Sequence, residues 1–127
     1  MTTTPLTFIA TNDLSAQTRG RSVPGAETPA ALRRGVGWVP ANLAIGAFGH
    51  IAEDNVFGAT GDLRLMPDNE ALFNIAESEE RPGLSYYLAD QTRPDGSPWA
   101  CCPRTFARDA LREFTELTGL ELSLIHI

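Results

Sequence analysis

Turn signals recur so often between Leu6 and Cys102 that the chain has room only for short strands and one short helix before its last stretch. Residues 6–11, Leu-Thr-Phe-Ile-Ala-Thr, are apolar and β-prone and read as a strand, with Asn12-Asp13 opening a turn. Residues 19–23 resume an extended pattern that stops at Pro24, so the two segments form a hairpin around a loop near 14–18. Thr28 is placed to cap a helical stretch over 30–34, Pro29 suits the first helical position and Gly35 ends it. Residues 62–66 alternate apolar and polar and predict a half-buried strand ending at Pro67-Asp68. A charged loop over 77–83 follows. Residues 84–92 alternate again, with Leu84, Tyr86 and Leu88 on one face. Arg93-Pro94-Asp95-Gly96 then has the residue order of a type I turn, from which 99–102 returns as a partner strand. Thr105 can cap a final helix that carries Phe106, Ala110, Leu111, Phe114 and Leu117 on one side and stops at Gly119. The order is α+β, close to a β-grasp: a mixed sheet with one helix laid across it, and a further helix at the end.

Composition narrows the function classes. The 127 residues suffice for one domain with one core, and 43% apolar against 20% charged residues describe a globular chain. A formal charge of −6 argues against nucleic acid as a partner, and the ten basic residues, all arginine, read as scattered. No apolar run approaches the ~18 residues that cross a bilayer, and the N-terminus has no signal-peptide character, so no membrane partner and a cytoplasmic address are expected. Cys101 and Cys102 are adjacent, which disfavours a bridge between them. They read as small buried or half-buried side chains in a strand.

The motif inventory is thin. No phosphate-binding loop, dinucleotide fingerprint or nucleophile elbow is present. His50 and His126 have no second ligand at helical spacing, so no metal site is expected here. Residues 35–61 carry six glycines among apolar side chains including Trp38, Val39 and Phe57. Such a loop packs either on a partner or site, or on its own core. Asp62 follows it at the start of a strand, where a carboxylate can point into a cleft or bond its own loop.

In series, these segments resemble the N-terminal part of glutamine synthetase-family ligases. The likeness rests on the hairpin from Asp13 through Arg19-Gly20-Arg21 to Pro24 and on Gly58-Ala-Thr-Gly-Asp-Leu-Arg-Leu-Met-Pro-Asp68. It rests also on the stretch from Leu88 to Arg104. The resemblance implies a β-grasp domain over 1–103 and the first helix of a catalytic domain this chain lacks over 104–121; residues 122–127 read separately as a non-native tail. It also implies ring-shaped homo-oligomers in which the β-grasp domain of one subunit closes the site of its neighbour, with Asp62 reaching toward the incoming amine. The implied reaction joins glutamate to an amine through γ-glutamyl phosphate, with ATP and Mg or Mn held by the full-length parent and no cofactor or metal held by this fragment.

One departure bears on the amine. Ammonia-using members carry an acid after the short helix, and the position that aligns with it is Val39, within Gly37-Trp-Val-Pro-Ala-Asn42. That version resembles the branch that includes γ-glutamylpolyamine synthetases, so a larger amine is the expected acceptor, with ordinary glutamine synthesis from ammonia as the close competitor. The last six residues, Leu122-Ser-Leu-Ile-His-Ile127, resemble a translated sequencing adapter, which would leave His126 without meaning. The fragment alone is expected to be inactive. The alternatives are a stand-alone β-grasp binding module and a regulator that joins synthetase rings.

Overall fold

The N-terminal hairpin forms where its sequence places it. In a computed structural model, which describes residues 5–58 and 61–122, β1 (Leu6–Asn12) pairs antiparallel with β2 (Thr18–Pro24), Leu6 opposite Pro24 and Asn12 opposite Thr18. Asp13 organises the intervening loop. Its Oδ1 accepts the N–H groups of Ser15 at 2.9 Å and Gln17 at 3.0 Å, and its Oδ2 accepts from the Arg19 guanidinium. A short acidic side chain that bonds the backbone two and four residues on is a turn device, and here it fixes the hairpin register.

α1 (Thr28–Arg34) follows, then β3 (Val36–Trp38), β4 (Leu63–Ile75), β5 (Leu84–Thr92) and α2 (Pro103–Thr118). The strands form one sheet in the order β2-β1-β5-β4-β3. β1 and β5 run parallel, and the other neighbours are antiparallel. The parallel pair lies inside the sheet, where both edges are covered. This mixed sheet with two helices is an α+β fold of β-grasp type. Ile9, Leu65 and Ala89 are fully buried at its centre, with Val36, Trp38 and Tyr87 packed around them.

Several local expectations are corrected. Thr28 lies inside α1 and does not cap it. Its hydroxyl instead shares a 2.6 Å hydrogen bond with Thr7, tying α1 to β1. Pro67 does not end β4, which continues to Ile75 across a register shift between Pro67 and Leu72. β3 pairs with β4 only at residues 63–65, so the proline falls at an irregularity in an edge stretch, where the ladder tolerates it. Leu84, Tyr86 and Leu88 do share a face, but Tyr87, Ala89 and Gln91 point the other way and supply the core side.

Residues 99–102 form a turn, not a strand. Pro98 makes a single bridge to Thr92, and the Cys102 N–H then bonds the Trp99 carbonyl at 2.9 Å, just before Pro103 opens α2. The cap of α2 is Cys102, whose Sγ accepts from the Thr105 N–H at 3.5 Å. Cys102 is buried and Cys101 exposed, and neither is in a disulfide. Gly35 and Gly119 end the two helices as read from the sequence. Residues 123–127, and with them His126 and nearly all of the suspected tail, lie outside the described residues.

Candidate cleft at Asp62

β3 and β4 bring together the two positions the sequence singled out. Their last pair is Trp38 with Leu63, so Val39 and Asp62 are the next residues out from the paired strands. Both line a cleft of about 380 Å³ together with Arg21, Gly37, Trp38 and Asn42. Val39 is extended and leads into the 3₁₀ turn Pro40–Ala44, in which the Asn42 N–H bonds the Val39 carbonyl at 3.2 Å. Gly61 sets the approach from the other side. Its φ is +122°, and a Cβ there would stand 2.9 Å from Pro40 Cγ, so only glycine brings the chain past Pro40 to Asp62. From β2, Arg21 Nη1 donates to the Gly37 carbonyl at 3.3 Å and forms a further part of the wall.

Asp62 is exposed and has no ion pair or hydrogen bond among the described residues. A carboxylate left open beside the half-buried Trp38 and the exposed Val39 can hold a cation whose body is apolar. Sequence reasoning named Asp62 and Val39 but not Arg21 or Asn42, because their convergence depends on strand pairing across the sheet edge. His50 takes no part: it is exposed, and its carbonyl accepts the Gly46 N–H in a separate turn. Among the described residues no three His, Cys, Asp or Glu side chains converge as metal ligands. No helix among them is long and apolar enough to cross a membrane.

The reading of the arginines as scattered is also corrected. Five of the ten, Arg21, Arg33, Arg34, Arg64 and Arg93, line one groove beside this cleft.

Known proteins share this architecture. The family model described as the glutamine synthetase N-terminal domain matches residues 3–99. A crystal structure of a novel glutamine synthase homolog superposes with a TM-score of 0.84 at 34% identity, covering 92% of this chain and 28% of that one. Ligand-free GmaS gives 0.66 at 20% identity over 88% of this chain and 24% of its own. The glutamine synthetase of Plasmodium falciparum gives 0.59 at 16% identity over 90% and 20%. The last two likenesses concern the fold alone. None of the curated proteins matches. The chain spans between a fifth and three tenths of the length of these solved relatives.

Proposed function

The chain belongs to the glutamine synthetase family through its N-terminal domain, and from that premise we propose that it is part of an ATP-dependent ligase joining glutamate to an amine, with Asp62 receiving the amine. The observation that supports this reading is the cleft that Asp62, without an ion pair among the described residues, lines together with Trp38 and Val39. In the parent enzyme ATP would activate the glutamate side-chain carboxylate as an acyl phosphate, and divalent metal would offset the phosphate charge. The task left to this domain is to present the nucleophile. An amine is cationic near neutral pH and must lose a proton before its lone pair attacks the acyl carbon and phosphate departs. Asp62, closing the site of a neighbouring subunit, holds that cation by charge and accepts or relays the proton.

Val39 bears on which amine is used. Where ammonia-using relatives carry a second acid, an apolar side chain offers ammonium no charge but offers an alkyl chain a surface. The acceptor is therefore an alkylamine or polyamine.

Steady-state kinetics of the full-length parent with ammonium and with a series of alkylamines and polyamines test this. The larger amines are expected to give the higher kcat/KM, Asp62→Asn to lower it by about 10²-fold, and Val39→Asp to move preference toward ammonium. Equal or better turnover of ammonium by the unmodified enzyme would remove the case for a larger amine. Unchanged amine kinetics in Asp62→Asn would remove Asp62 from the site.

A further inference from the structure

The ten arginines divide by environment. Arg19, Arg104, Arg108 and Arg112 are in ion pairs with Asp13, Asp68, Asp90 and Asp109. The five that line the groove between β2, α1, β4 and the turn after β5 take part in no ion pair among the described residues. That groove has a volume of about 800 Å³, within the range of small-molecule sites.

The fold builds it by a specific device. Gly35 has φ +64°, and a Cβ there would lie 2.6 Å from both the Leu65 carbonyl oxygen and Met66 Sδ. Glycine thus lets the end of α1 close onto β4, which places Arg33 and Arg34 beside Arg64. A second observation is independent of charge. Thr92 also lines the groove, is 9% exposed, and keeps a buried hydroxyl with no hydrogen-bond partner.

Five like charges against only Glu27 and Asp95 give the groove a positive potential that attracts an anion. Asp95 is already engaged, accepting from the Ser97 N–H at 2.9 Å and its hydroxyl at 2.7 Å. We propose that this groove is a binding site for a small polyanion carrying at least two phosphate or carboxylate groups. Guanidinium forks match either group in bidentate geometry. Arg21 and Gly37 border both this groove and the Asp62 cleft, so an anion bound in one is felt at the wall of the other. The proposal does not rest on the amine reading, since it requires neither Asp62 nor turnover.

Backbone amide NMR of this chain, titrated with inorganic pyrophosphate and separately with citrate at constant ionic strength, tests it. Saturable shifts are expected at residues 33–35, 64 and 92–96. The tighter of the two probes identifies phosphate or carboxylate as the preferred group. Arg34→Gln and Arg64→Gln should each weaken binding about tenfold. Arg81→Gln, in the loop between β4 and β5, should leave it unchanged. A spectrum otherwise unaltered in the glutamine variants shows that their fold is intact. Shifts reproduced by sodium chloride, shifts that do not saturate with either probe, or equal weakening by Arg81→Gln would each overturn the proposal.

Discussion

The Asp13 side chain is nearly inaccessible to water, yet it stays charged. Burial alone would push its carboxyl up. The Arg19 hydrogen bond, the N–H groups of Gln17 and Ser15, and the Arg19 charge together outweigh burial and hold it below the usual carboxylate range. Asp68 is held low chiefly by its hydrogen bond to Arg104 and by the Glu70 N–H. A carboxyl whose folded value is depressed stabilises the fold above its unfolded value, and that contribution is lost as pH falls through the folded one. Stability is therefore expected to drop below about pH 4. Asp13→Asn should flatten that acid limb in urea unfolding measured across pH. Asp13→Ala should cost about 2 kcal/mol near neutrality, because it strips partners from two backbone donors and from Arg19. A mutant as stable as the parent chain at pH 7 would show that the hairpin does not need this turn. Asp13 was visible in the sequence as a turn former, but its burial and its ion pair were not, because they require Arg19 to fold back from β2.

At the scale of elements, α1 and β4 meet because residue 35 has no side chain. Gly35→Val would meet the Leu65 carbonyl and impose a branched side chain on a positive φ, so a loss of about 1–3 kcal/mol is expected, read as a lowered Tm by circular dichroism. An unchanged Tm would mean that α1 shifts without consequence, and the arginine groove would then lose its stated architecture. α2 is positioned differently. Arg104 bonds Asp68 at 2.6 Å and Asp90 at 2.9 Å, Arg108 bonds Asp90 at 2.7 Å, and Cys102 caps the helix from below. Its amphipathic pattern was legible, and so was its end at Gly119, whereas its start at Pro103 lies ahead of the Thr105 cap read from the sequence. The Cys102 cap was not, because sulfur is a poor acceptor and Thr105 is the residue that capping preferences select.

For the molecule as a whole, the surfaces left uncovered are as informative as the core. On α2, Phe106 is 72% and Leu117 78% exposed, and no residue of that helix is buried. The sheet face opposite the core carries Phe8, Phe73, Tyr86 and Leu88, with the Phe73 and Tyr86 rings stacked 4.8 Å apart. Apolar area of this kind calls for a covering surface. It favours a domain that works packed against others over a stand-alone module. In line with that, the isolated chain is expected to show no glutamate-dependent release of ADP from ATP. Measurable release would place phosphoryl-transfer residues within these 127 positions.

The sequence by itself determined the hairpin, the extent of β5 and the glycine stops of the two helices, because each is written in local spacing: alternation, turn residues, glycine after a helical run. It could also mark Asp62 and Val39 as notable. Only the tertiary structure decided that β1 runs parallel to β5, which face of β5 is buried, that Val39 and Asp62 share a cleft, and that half of the arginines converge. Those outcomes depend on which strands become neighbours, and the deciding pairs, β1 with β5 and β3 with β4, lie tens of residues apart in the chain. Their pairing is settled by the burial of one common core, which no local stretch of sequence records.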